Sequence, residues 1–131
     1  MVKILAGFAI FVSASLLPAI AAPARAESFD GRWWVSIVKT EGACDVVSVA
    51  EPVRVAGGRV LNDELDTHGA HVNGNVAPDG AIKVRVTRVA NGEALSADAV
   101  GRLEGKRAGG SWTSVKPACK GTWSAKRDGE G

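Results

Sequence analysis

Turn punctuation constrains this chain more than any other feature. From Glu27 onward, short alternating runs of apolar and polar residues are cut by Gly57-Gly58, Pro78-Asp79-Gly80, Asn91-Gly92, the stretch Lys106 to Gly109, and Pro117. No segment there keeps a helical period over three turns, so the pattern reads as antiparallel all-β. Turn length fixes strand register, and each register can be checked against the side chains it pairs. A three-residue loop at Pro78-Asp79-Gly80 sets Val76 against Ile82, Gly74 against Val84 and Val72 against Val86. The other face then pairs Asn75 with Lys83, Asn73 with Arg85 and His71 with Thr87. A two-residue turn at Asn91-Gly92 sets Val86 against Ala97, Val84 against Ala99 and Ile82 against Gly101, with Arg85 opposite Asp98 outside. A four-residue connection from Lys106 to Gly109 places Leu103 opposite Trp112. A last turn at Pro117-Ala118 places Trp112 opposite Trp123. All four registers put one apolar face inward.

That face has a repeated device. Gly31-Arg32-Trp33, Gly110-Ser111-Trp112 and Gly121-Thr122-Trp123 each carry a glycine two residues before a tryptophan. In a strand the two lie on one side, so the glycine leaves room beside a large ring. Gly74, Gly101 and Gly105 open further gaps and permit the sharp coiling that closes a small barrel. The expected fold is a small antiparallel up-and-down β-barrel, or rolled meander, of about eight short strands. They begin near Phe29 to Lys39 and end near Cys119 to Lys126, leaving 126–131 as a frayed polar tail. The expected core is Trp33, Val72, Val76, Ile82, Val84, Val86, Leu103, Trp112 and Trp123, filling the interior.

Ahead of this domain, Lys3 is followed by the apolar run Ile4 to Leu17 and by Ala24-Arg25-Ala26. This is the pattern of a secretory signal peptide, residues 1–26, cleaved before Glu27. The run is too short to persist as a transmembrane anchor. Residues 27–131 are then a single β-domain, expected to be monomeric in the periplasm or outside the cell. Both cysteines, Cys44 and Cys119, fall in it, and an oxidising compartment favours their pairing as a disulfide. Such a bridge stabilises a fold by roughly 4 kcal/mol in the chain-entropy model. The whole chain carries 16 basic and 14 acidic residues; loss of Lys3 and Arg25 balances them. Glu27 to Gly80 is acidic and Ala81 to Gly131 basic, a dipole best read as matching between neighbouring strands.

The pattern as a whole resembles a family of small exported proteins of rhizobia and related α-proteobacteria. The resemblance covers nearly all of residues 27–131. It rests on Phe29-Asp30-Gly31-Arg32-Trp33, Gly42-Ala43-Cys44-Asp45, Pro52-Val53-Arg54-Val55 and Gly58-Arg59-Val60. It continues through Val72-Asn73-Gly74-Asn75-Val76, Gly80-Ala81-Ile82-Lys83-Val84, Gly101-Arg102-Leu103-Glu104-Gly105, Gly110-Ser111-Trp112 and Cys119-Lys120-Gly121-Thr122-Trp123. The family implies an exported β-rich domain with one disulfide and brings no activity. The opening Gly-x-Trp also resembles the first strand of lipocalin and avidin-like barrels, an architectural analogy.

Chemistry is sparse. Asp63, Glu64, Asp66, His68 and His71 form a weak metal candidate, centred on Asp66, His68 and His71. The segment reads as a loop entering a strand, where a spacing of three does not align side chains, so no metal or other cofactor is expected. Neither histidine stands in a nucleophile or triad context, so no catalytic set is expected. Lys83, Arg85 and Arg102, with outward Trp34, form a possible face for an anionic partner such as an envelope polymer. Nucleic acid is not expected, because the other indoles are directed inward. The expected role is therefore a non-enzymatic binding or envelope-interaction module. Two alternatives are a small-molecule carrier with a Trp-lined internal cavity, and an inhibitor of a secreted hydrolase acting through Leu61 to Gly69.

Overall fold

A computed structural model describes residues 28–45, 48–66, 69–90 and 92–128, together with Gly7. The signal segment, His68 and residues 129–131 of the polar tail otherwise lie outside the described residues. Eight strands follow one another: β1 (Gly31–Gly42), β2 (Ser48–Ala56), β3 (Arg59–Asn62), β4 (His71–Val76), β5 (Ala81–Ala90), β6 (Glu93–Glu104), β7 (Arg107–Val115) and β8 (Ala118–Arg127). Each pairs antiparallel with the next, and β8 returns to β1, so the sheet closes into a barrel without free edges. Cys44 and Cys119 form a disulfide, with Cα atoms 5.9 Å apart.

The register follows the turns. The β4–β5 pairs run from His71 with Thr87 to Val76 with Ile82, and the β5–β6 pairs include Val84 with Ala99 and Arg85 with Asp98. Two registers differ from the sequence expectation. The β6–β7 turn is the tight Gly105-Lys106, so Leu103 opposes Ala108 and Trp112 opposes Ala99. Lys106 to Gly109 reads as loop because it opens on two charges and ends in glycine, yet Arg107 to Gly109 belong to β7. The β7–β8 turn is Lys116-Pro117, one residue earlier than expected, so Trp112 faces Gly121 instead of Trp123. β8 also runs two residues into the expected tail, with Lys126 and Arg127 opposite Trp34 and Trp33. Beyond them the Asp128 N–H donates to the Arg32 carbonyl at 2.7 Å.

The barrel has a closed end and an open end. Residues 28–30 cross the closed end and plug it with Phe29. The Trp33 Nε1–H donates to the Phe29 carbonyl at 2.8 Å, and the Gly57 N–H donates to Asp30 Oδ1 at 2.9 Å. The Arg127 guanidinium lies 5.6 Å from the Trp33 ring centroid and donates to the Ser28 carbonyl at 2.8 Å. Val55, Val60, Val72, Val76, Ile82 and Leu103 complete the buried core there.

Candidate functional site: the barrel cavity

The interior is hollow, which corrects the expectation of a filled core. A cavity of about 390 Å³ runs from Trp33 and Leu103 near the closed end to Ala43, Asp45, Arg88 and Pro117, which are exposed at the other. That size lies within the range of small-molecule sites. Its walls are mainly short aliphatic side chains: Val35, Ile37, Val53, Val84, Val86, Ala97, Ala99 and Ala108. Val84 and Val86, expected in the core, are half-buried because they face this space.

The hollow follows from where the indoles go. Gly110 opposes Trp123 and Trp112 opposes Gly121, so the two Gly-x-Trp triplets of β7 and β8 pair head to tail. A Cβ on Gly121 would stand 1.9 Å from the Val38 carbonyl oxygen and 2.7 Å from Trp112 Nε1. One on Gly110 would stand 2.8 Å from Trp123 Nε1, and one on Gly101 would stand 2.6 Å from Trp123 Cζ2. Each ring therefore passes over the bare backbone of the next strand. Trp112 crosses β8 and donates to the Val38 carbonyl of β1 at 3.2 Å. Trp123 crosses β7 and donates to the Val100 carbonyl of β6 at 3.0 Å. The glycines thus make room for the neighbouring strand's ring, where the sequence suggested the ring of their own strand. Rings laid along the wall leave the centre empty. Trp33 behaves differently, its indole held against Phe29 in the floor.

Polar groups on the cavity wall are few. Glu51 points inward from β2 between Val49 and Val53 and is buried, although it lines the cavity. At the mouth stand Asp45, Arg88, Ser96 and Ser114. Lys39 Nζ is tied to the Cys44 carbonyl at 2.7 Å, beside the disulfide that fastens the β1–β2 connection to β8.

One side of the mouth is built differently. β3 and β4 are much shorter than β2 and β5. The Asn62 side chain replaces the missing ladder: its Oδ1 accepts from the Val72 N–H at 2.8 Å, and its Nδ2 donates to the Ala70 carbonyl at 2.6 Å. Asp63 turns outward onto the wall, where its fully buried carboxylate meets Arg32 Nε at 3.0 Å and Arg54 at 3.2 Å. Burial, the largest single influence, pushes this carboxyl up. The Leu65 N–H, the Arg32 hydrogen bond and the charges of Arg32 and Arg54 together outweigh it and hold Asp63 below the ordinary aspartate range.

The remaining sequence candidates do not assemble. Asp63 is committed to arginines, Asn62 donates to Asp66 at 2.9 Å, and His71 stands exposed at the start of β4. His68 lies outside the described residues, and among those described no three His, Cys, Asp or Glu residues gather. The described part of Leu61 to Gly69 is anchored to the wall through Asp63 and does not stand out as a free loop. Trp34 is exposed on β1, four strands around the barrel from Lys83 and Arg85 on β5, hence on the opposite side. Arg85 Nε contacts Asp98 at 2.9 Å, and Arg102 donates to the Asp79 carbonyl at 3.0 Å. These two cations of the expected anionic-partner face thus have carboxylate or carbonyl partners of their own. Of the acidic and basic halves, Arg102–Asp79, Lys120–Glu41 and Arg32–Asp128 join across, whereas Arg85–Asp98 and Lys116–Glu93 match within the basic half.

Comparison with protein-family models, with curated proteins and with solved structures found no match.

Proposed function

We propose that this is an exported binding barrel that carries a small, largely apolar molecule in its interior, entering at the disulfide end. The observation that carries the reading is the 390 Å³ hollow and the two indoles held flat so that it stays empty. A chain that needed only a stable barrel gains by filling its core, since each cavity forfeits packing energy. Here the glycines that would have been filled carry rings along the wall. The apolar leader pattern of residues 1–26 and the Cys44–Cys119 bridge support action in the periplasm or the medium. The face formed by Lys83, Arg85 and Arg102 supports an anionic-polymer role less well, because two of its cations are paired and Trp34 lies across the barrel.

The test is titration of the purified protein with 1-octanol, read by tryptophan emission and calorimetry. Saturable binding with an emission shift is expected, since Trp112 and Trp123 border the space. Ala97→Phe, which adds a ring to the cavity wall, should weaken that binding at least tenfold while the barrel still melts cooperatively. No heat and no emission change up to the solubility limit of octanol would rule the carrier out.

A further inference from the structure

Resting on the carrier reading, we infer that the carried molecule is an amphiphilic monocarboxylate, its apolar tail in the lumen and its head held at the mouth by Arg88. The inward positions of β5 are Ile82, Val84, Val86 and Arg88, an aliphatic run that ends in a cation where the cavity opens. The hairpin that carries Arg88 outruns its neighbours. Pairing of β5 with β4 stops at Thr87 and pairing of β6 with β7 stops at Ala97, whereas β5 and β6 stay paired as far as Ala90 with Glu93. Arg88 and its cross-strand partner Leu95 thus stand at the base of a projecting arm, and both line the cavity. Where β6 loses β7, half-buried Ser114 lines the cavity one layer down, opposite Ala97. Adjacent strands lie about 4.8 Å apart, so a head group over β6 is within reach of Arg88 from one side and Ser114 from the other.

The cations around the mouth are otherwise committed. Lys39 donates to the Cys44 carbonyl at 2.7 Å, Lys116 pairs with Glu93 at 2.7 Å, and Lys120 pairs with Glu41 at 3.1 Å. The Arg88 guanidinium makes no hydrogen bond or ion pair among the described residues. Asp45, an exposed acid at the mouth, stands on the β1–β2 connection, across an opening on the order of 15 Å wide by strand spacing and tilt. Exposed charges that far apart are largely screened from each other. Glu51 lies deeper, on β2 opposite Val35, and has an interaction of its own within the protein, so it takes no part. A planar guanidinium receives a carboxylate through two parallel N–H bonds, and its single charge balances one negative charge, which favours a monoanion. The tail leaves water for the aliphatic walls while the head keeps part of its hydration at the rim, so neither end is stranded.

Octanoate, 1-octanol and n-octylamine share one chain and differ in the head, and the same calorimetry at neutral pH ranks them. Wild-type protein should bind octanoate at least about fivefold tighter than octanol, with octylammonium the weakest. That advantage should shrink to about twofold or less in about 0.5 M NaCl, because the pair forms at an exposed rim. Arg88→Gln should bring octanoate to within about twofold of octanol, since the amide carries no charge. The wild-type ranking is read without any variant, so it decides even if Arg88→Gln fails to fold. Octanol bound with octanoate no tighter, or octylammonium bound best, overturns the monocarboxylate inference and leaves the carrier reading standing. A full octanoate preference in folded Arg88→Gln overturns the assignment of the head to Arg88. Absence of binding by all three probes removes both readings together.

Discussion

The two ends of this barrel spend the same materials in opposite ways. At the closed end Arg127 lies over the Trp33 ring, Phe29 is buried beside them, and the strap of residues 28–30 is tied down by hydrogen bonds. At the open end two tryptophans are pulled aside against glycines, and a disulfide holds the rim around empty space. Buried packing is concentrated where the interior is solid, and the proposed carrier would bind where it is not. The same residue type serves either purpose, depending on whether the strand beside it carries a side chain.

That contrast is open to measurement. The largest effect is expected at the floor: Trp33→Ala should cost about 3–5 kcal/mol in urea unfolding, because the indole is nearly fully buried and hydrogen-bonded. Reduction of Cys44–Cys119, which spans 75 residues, should lower stability by about 2–4 kcal/mol, read as a fall in melting temperature under reductant. Two matched truncations then compare the ends directly. Val60→Ala, almost fully buried at the floor of the cavity, should cost about 1–2.5 kcal/mol, whereas Val86→Ala, half-buried along its wall, should cost less than about 1 kcal/mol. Equal costs would mean that the interior is uniformly packed and that the contrast is false.

The outer wall adds effects of a different kind. Asp63 titrates below its unfolded value, so the stability it contributes is complete above the ordinary aspartate range and is lost as pH falls through its lowered native value. Asp63→Asn should therefore cost about 1–3 kcal/mol at neutral pH, and the two proteins should converge in acid. The convergence is visible in melting curves taken from pH 7 down to pH 3. Smallest of all, Asp98→Ala should change stability by less than about 1 kcal/mol, since its pairing with Arg85 is exposed.

How much of this was legible in the sequence depended on parity. The hairpins at residues 77–81 and 91–92 have turns whose length is unambiguous, and their registers follow directly. At Lys116-Pro117 the turn was misplaced by one residue, which moves every partner by two. An even shift keeps each side chain on its own face, so the inward set survived while the pairing of Trp112 was wrong. The β6–β7 turn shows the same thing with a shift of four. Partner identity mattered most for the cavity. With Trp112 facing Trp123 the rings would meet and fill the centre; with each facing a glycine they part. Asp63 was also out of reach, because its burial depends on Arg32 and Arg54 arriving from two other strands. Glu51 sat in an alternating strand with Val49, Val53 and Val55, and that phase alone marks it as inward-facing.

The reciprocal Gly110–Trp123 and Trp112–Gly121 pairs have a consequence for how this protein can change over generations. Neither triplet is a unit of inheritance by itself, because an alanine gained in one strand evicts the indole anchored in the other. A lineage that enlarges or reshapes the lumen must therefore alter both strands in step, and a drifting copy is recognised by paired replacements at 110 with 123 and at 112 with 121.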